Sequence, residues 1–167
     1  MVAVGDDVLA AQLNAWEDCA VVRLVQASAQ SLATNANTAI TFGSGSEDID
    51  TAGIHDTASN SSRITPTVAG YYRVTGILWL SAATFNDIQI QASIGKNGSV
   101  VTPTVRTRHQ SATSTARNTQ QVSVIQQADG VSDYFELIGY QNTGGSLNTQ
   151  TGGSTASVLE CELIRPS

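Results

Sequence analysis

The spacing of apolar residues divides the chain into a short first segment and a long remainder. In the first segment, Leu9, Leu13, Trp16 and Ala20 recur at steps of four, three and four, which places them on one face of a helix. Asp6 or Asp7 can cap that helix at its start. From residue 21 onward the apolar residues come in short or alternating runs separated by Gly, Asn, Ser and Thr. The pattern predicts a short helix within residues 1–20 and an all-β domain over residues 21–167.

The remainder contains many short candidate strands, which is typical of a sandwich or a jelly roll. They cover residues 21–27, 38–42, 63–65, 71–81, 87–94, 100–107, 119–127, 132–140 and 157–164. Three polar stretches, residues 43–62, 111–118 and 143–157, are predicted to be surface loops.

The candidate strands differ in how many of their faces are apolar. Strand 87–94 alternates isoleucine or alanine with polar residues, so one face is buried and the other meets water. Strand 71–81 is apolar on both faces, with Tyr72, Val74, Leu78 and Leu80 on one side and Tyr71, Ile77 and Trp79 on the other. A sandwich has one interior and the sequence offers no long helix as a cover. Tyr71, Ile77 and Trp79 are therefore predicted to form an oligomer interface.

Composition narrows the classes of partner. A chain of 167 residues is long enough for one domain with a hydrophobic core of its own. The net charge of −6 and the single lysine, Lys96, provide no basic patch for nucleic acid or for anionic lipid, so neither partner is expected. The first residues lack the basic start of a secretion signal, which predicts synthesis in a cytoplasm. Cys19 and Cys161 are too few for a disulfide scaffold and are expected to be free thiols.

Catalytic and metal-binding patterns are weak. No motif of a serine hydrolase, phosphate-binding loop or zinc protease occurs, so the protein is not expected to be an enzyme or to carry a cofactor. Asp48 and Asp50, with Asp56, could offer carboxylates to calcium, but their spacing matches no defined calcium loop. Asp48, Asp50, His55 and His109 remain candidate ligand-binding residues.

Several segments in order resemble the globular C1q and tumour necrosis factor (TNF) jelly-roll family. They are Ile40-Thr41-Phe42, Asp48 with His55-Asp56, Arg63-Ile64-Thr65-Pro66, Gly70-Tyr71-Tyr72-Arg73-Val74, Asp133-Tyr134-Phe135-Glu136-Leu137 and the run over residues 157–164. Val74 stands where the family has Phe in its Gly-x-Tyr-x-Phe pattern. The resemblance implies a ten-stranded antiparallel jelly roll in two sheets, assembled as a tight trimer. It also implies that calcium near the trimer apex is conceivable, since some family members bind it.

The opening residues 4–15 are similar to the short leader of many tailed-phage virion proteins. Together with the head domain they suggest a non-enzymatic protein of the virion surface, a trimeric capsid decoration or head-fibre protein. Leu9, Leu13 and Trp16 would anchor it to a capsid or tail protein, although the same stripe could also pack on its own domain or on a sister chain. The alternative is a tail-fibre or tail-tip module that recognises a host-surface glycan or protein through its end loops.

Overall fold

A computed structural model describes residues 19–85, 88–102, 106–110 and 114–167, with side chains except those of residues 82–88 and 103–118. The strands are β1 Val21–Val25, β2 Ser31–Leu32, β3 Thr38–Ala39, β4 Glu47–Asp50, β5 Gly70–Phe85, β6 Ile88–Lys96, β7 Ser99–Val100, β8 Arg106–Gln110, β9 Ser114–Ala128, β10 Phe135–Gln141, β11 Leu147–Asn148 and β12 Val158–Pro166. A short 3-10 turn covers Gly153–Thr155. The predicted N-terminal helix, with Leu9, Leu13 and Trp16, lies outside the described residues. Within them, no helix has the length and apolar character needed to cross a membrane.

The strands form two main antiparallel sheets. The first has the order β4-β1-β12-β5-β9, and the second has the order β3-β10-β6-β7 with β8 also paired to β6. A two-stranded pair, β11-β2, lies beside them. This arrangement confirms the predicted all-β, two-sheet antiparallel jelly roll.

The core lies between the two sheets and is built by the inward residues of each strand. Tyr72 of β5 and Phe135 of β10 are fully buried, with ring centroids 6.2 Å apart. The Tyr72 hydroxyl donates a hydrogen bond to the Val68 carbonyl at 2.7 Å, so its polar tip is satisfied inside the core. At Gly76 the sheets approach so closely that an added Cβ would lie 2.7 Å from Leu137 Cδ1. Close packing of this kind fixes which face of β5 points outward.

Cys19 and Cys161 are both free, as expected from the sequence. Cys19 is exposed at the start of the described chain, and Cys161 is buried in β12. Burial raises the pKa of the Cys161 thiol to about 12, so this thiol stays protonated at neutral pH.

Each of the three predicted loops contains all or part of a strand that the apolar pattern did not reveal. Charged β4 lies within predicted loop 43–62. Its residues form a strand because they pair along β1 and because Asp48 binds Arg23. β9 begins at Ser114, inside predicted loop 111–118, because it pairs with the extended end of β5. Both strands owe their conformation to a neighbour, so local polarity predicts them wrongly.

Other strand predictions need smaller corrections. The single strand predicted over residues 100–107 is wrong, since β7 ends at Val100 and β8 begins at Arg106. Residues 63–65 form isolated bridges through Ile64 to His55 and Phe135 instead of a strand. β11 lies within predicted loop 143–157, where it pairs with β2.

Candidate functional site

The face of the five-stranded sheet that points away from the core, here called the outward face, carries the predicted interface residues. Tyr71, Ile77 and Trp79 alternate with buried Tyr72, Leu78 and Leu80 along β5, so all three lie on the outward face as predicted. Their role in self-association remains a prediction.

The upper part of the outward face is apolar. Cross-strand pairing aligns Val25 of β1 with Val158 of β12, and Val158 with Ile77 of β5. Trp79 lies two residues further along β5 on the same face. These four residues are called the apolar row. Neighbouring apolar side chains on one sheet face form the kind of patch that a second protein surface can cover.

The backbone of Trp79 is held by the segment that leads into β12. Its N–H donates to Ser157 Oγ at 3.1 Å, and its carbonyl accepts from the Gln150 N–H at 2.9 Å. Ser157 is fully buried. The position of the tryptophan on β5 is therefore fixed before any partner binds.

A charged belt crosses the middle of the outward face. Arg23 binds Asp48 and also donates from Nε to Glu160 at 3.0 Å, while Arg73 binds Glu162. The hydrogen bonds that Arg23 donates to Asp48 and Glu160 raise the pKa of Arg23 above its ordinary value. Since these charges are paired within the chain, a partner that covers the belt does not need to neutralise them one by one.

A shallow hollow of about 220 Å³ lies within the belt. Its lining residues are Val21, Arg23, Ile49, Arg73, Thr75, Glu160, Cys161 and Glu162. The hollow is open to solvent, and its mixed apolar and charged wall fits a protruding side chain better than a small apolar ligand.

The lower part of the outward face, where β5 begins and β12 ends, is apolar again. Tyr71, Ile125 and Ile164 are exposed there, and Arg165 lies with its guanidinium carbon 5.5 Å from the centre of the Tyr71 ring. These four residues are called the lower rim. Tyr71 is six residues from Ile77, or about 20 Å along an extended strand. Tyr71 therefore belongs to a different apolar zone from Ile77 and Trp79.

The predicted ligand-binding residues mostly have structural partners. Asp48 belongs to the belt, and the Asp50 carboxylate accepts hydrogen bonds from the N–H groups of Ala52, Ile54 and His55. The His55 side chain is buried, with Nδ1 3.1 Å from Glu47 Oε1 and Nε2 3.3 Å from the Ser61 carbonyl oxygen. These contacts hold the shape of the segment that follows β4.

The fourth predicted ligand-binding residue, His109, lies apart from the others. It belongs to β8 in the second sheet, where its backbone pairs with Gln89, and its side chain is not among those described. In the described ranges no group of three or more His, Cys, Asp or Glu residues is placed to hold a metal ion.

Two of the three predicted end loops meet in space. Residues 45–48 and the glycines 152 and 153 line a polar hollow of about 420 Å³ beside β1. Gly45, Gly152 and Gly153 all have positive φ angles, so the chain here follows paths that favour glycine. This hollow joins two of the predicted end loops in one polar surface.

Sequence reasoning missed the belt and most of the lower rim. The alternation of Glu160 and Glu162 with apolar residues was visible, but their arginine partners become evident only from the pairing of β12 with β1 and β5. Ile164 was visible with Val158 on the second face of strand 157–164, but its proximity to Tyr71 and Ile125 depends on the pairing of β12, β5 and β9.

Comparison with known proteins extends the description of the fold. No family model and no curated protein matches the sequence. Solved structures do match: the globular domain of zebrafish complement 1qA protein aligns with a TM-score of 0.58 and 10% identity over 90% of this chain and 100% of that chain. Murine APRIL aligns with a TM-score of 0.59 and 12% identity over 87% of this chain and 100% of that chain. Eiger TNF from S. frugiperda aligns with a TM-score of 0.54 and 9% identity over 89% of this chain and 93% of that chain. The protein therefore has the two-sheet jelly-roll fold of C1q and TNF globular domains.

Proposed function

We propose that this protein is a non-enzymatic structural protein whose heads assemble as a homotrimer through the outward face. The apolar row carries this proposal, because it places the partly exposed side chains of Val25, Ile77 and Trp79 around the buried Val158 on one sheet face. Both arginines of the belt have carboxylate partners in the same head, so covering the rest of the face leaves neither arginine unpaired. The resemblance to the C1q and TNF family favours a threefold arrangement.

The proposed location of the trimer is the surface of a phage particle, as a capsid decoration or head-fibre protein. The similarity of residues 4–15 to the leader of tailed-phage virion proteins supports this location. Leu9, Leu13 and Trp16 would bind a capsid or tail protein, and burial of a central tryptophan contributes about 2 kcal/mol or more. Three linked segments would strengthen attachment further by avidity.

A second candidate function is host recognition by a tail-fibre or tail-tip protein. The hollow between residues 45–48 and glycines 152 and 153 favours it, since two end loops there form one polar surface that a glycan or protein could contact. Replacement of these loops should change host binding under this alternative and leave particle attachment intact.

The self-association proposal is tested by light scattering on the full chain, on a chain that starts at Ala20, and on two aspartate variants. We expect a three-chain mass for both lengths of chain and a one-chain mass for Ile77→Asp, because a carboxylate in the apolar row cannot be buried unpaired. Val131→Asp is the matched control, since Val131 is 84% exposed in the turn between β9 and β10, outside the strands of the sheet. Circular dichroism confirms that each variant is folded. A one-chain mass for the unaltered protein would refute the proposal.

Particle attachment is tested by co-sedimentation with phage particles that lack this protein. The full chain should sediment with the particles, and the chain that starts at Ala20 should stay in the supernatant. Equal sedimentation of both chains would show that residues 1–19 are not the anchor.

A further inference from the structure

The described chain begins beside the lower rim. The Ala20 carbonyl accepts a hydrogen bond from the Leu163 N–H at 2.9 Å, and the Cys19 carbonyl accepts one from Thr51 Oγ1 at 3.3 Å. The residue that follows Leu163 is Ile164 of the lower rim. The described chain therefore starts next to this patch, and residues 1–18 are joined to it at that point.

The patch has the size and character to bind those residues. Tyr71, Ile125 and Ile164 are 37%, 55% and 45% exposed, which makes them three of the five large apolar side chains most exposed in the described part of the chain. They lie on the adjacent strands β12, β5 and β9. The patch extends over two strand spacings from β12 to β9, about 10 Å, and the step of seven residues from Leu9 to Trp16 is also about 10 Å long on a helix. The stripe of Leu9, Leu13 and Trp16 is long enough to reach across the patch.

The charges of the patch and the segment are complementary. Arg23, Arg63, Arg73 and Lys96 each have a carboxylate partner within the described structure. Arg165 is the exception among the described basic side chains, since it lies over the Tyr71 ring and forms no ion pair with a described carboxylate. Residues 1–18 carry Asp6, Asp7, Glu17 and Asp18 with no lysine or arginine. A carboxylate near Cys19 is thus the natural partner of Arg165.

We propose that the lower rim is a docking site for residues 1–18 of the same chain, which fold back so that Leu9, Leu13 and Trp16 cover Tyr71, Ile125 and Ile164. This inference rests on the proposed function in one respect, because it concerns the segment that anchors the particle. The docked state hides the anchor in the free head, and a particle protein that binds the stripe releases it. The short tether gives a millimolar effective concentration, so a weak contact is enough to hold the segment. Tyr71 then belongs to this intramolecular site, while Ile77 and Trp79 are left for a second copy.

The test uses fluorine NMR on the full chain labelled with fluorotryptophan. The chain has two tryptophans, so the Trp16 signal is the one that a chain starting at Ala20 lacks. A labelled synthetic peptide of residues 1–18 supplies the signal of the free segment. We expect Trp16 in the full chain to differ from the peptide. In the variants Ile125→Asp and Arg165→Glu, the Trp16 signal should move toward the signal of the free peptide. The ratio of docked to free segment should fall about tenfold. Val131→Asp, an exposed apolar residue outside the patch, should leave the signal unchanged.

Three outcomes would overturn the inference. The first is a Trp16 signal in the full chain that coincides with the free peptide. The second is an equal shift in Val131→Asp and in the rim variants. The third is a Trp16 signal that changes when the protein is diluted. Such a change would mean that the lower rim binds residues 1–18 of a second copy and not those of its own chain. Light scattering on the same samples measures self-association separately. A docked Trp16 in a protein with a one-chain mass would refute the trimer alone. A free Trp16 in a protein with a three-chain mass would refute the docking alone.

Discussion

At the scale of single residues, Gly53 and Gly130 share a left-handed backbone but differ in their surroundings. Their φ angles are +61° and +73°, yet an added Cβ at Gly53 would meet nothing within 4 Å, whereas at Gly130 it would collide with the backbone of Val68 and Ala69. Gly53→Ala should cost about 1 kcal/mol of folding free energy for the left-handed conformation alone. Gly130→Ala should cost at least about 2 kcal/mol more, because backbone must move. Urea denaturation of both variants checks this, and equal losses would contradict it.

Asp129 organises the turn before β10 with its ionised carboxylate. Its Oδ1 accepts hydrogen bonds from the N–H groups of Val131, Ser132 and Asp133, each at 2.9 Å. These bonds, led by that from Asp133, hold the pKa of Asp129 well below its ordinary value. Because the folded-state pKa is depressed, the stabilisation is complete above the unfolded pKa near 4 and declines as the pH falls below it.

The charge of Asp129 can be isolated with Asp129→Asn, which keeps an acceptor oxygen. We expect this variant to be less stable than the unaltered protein at neutral pH, with a difference that shrinks at about pH 3. Urea denaturation at the two pH values measures the difference directly. A gap of the same size at both would show that the carboxylate charge does not stabilise the turn.

At the scale of elements, β5 separates two kinds of stabilisation on its two faces. Leu78 is fully buried between the sheets, and its neighbour Ile77 lies half-buried on the outward face. Leu78→Ala should cost the single head about 2 to 5 kcal/mol, because it leaves a cavity in the core. Ile77→Ala should cost the single head less than about 1 kcal/mol and should weaken self-association instead. Denaturation at low protein concentration, beside light scattering at high concentration, separates the two effects. A similar loss of head stability in both variants would contradict the assignment of the two faces.

β5 and its neighbours show which features of the fold can be predicted from the sequence. The two apolar faces of β5 were predictable, because alternation is a local property and both sets of residues are large. Charged β4 and the polar start of β9 were not predictable, since each is a strand through pairing with a neighbour distant in sequence. The candidate site divides in the same way. Ile77 and Trp79 were predicted to face outward together, whereas the division of that face by the belt depends on cross-strand register.

At the scale of the whole molecule, charge is distributed unevenly between the head and the first segment. Residues 1–18 carry four carboxylates and no basic residue, which is two-thirds of the net charge of −6. The belt, in contrast, pairs its arginines with carboxylates of the same head. Repulsion between copies in the proposed trimer should therefore come mainly from the three N-terminal segments, each joined to its head at Cys19.

This distribution predicts how salt affects assembly. The Debye length falls from about 30 Å at 0.01 M salt to about 8 Å at 0.15 M, so added salt should screen repulsion between the segments. Self-association of the full chain should strengthen about threefold or more over this range. The chain that starts at Ala20 should respond much less, because it lacks the four carboxylates. Sedimentation velocity over a series of protein concentrations measures both. The same salt response in the two chains would place the repulsion in the heads, where the belt holds three carboxylates against two arginines.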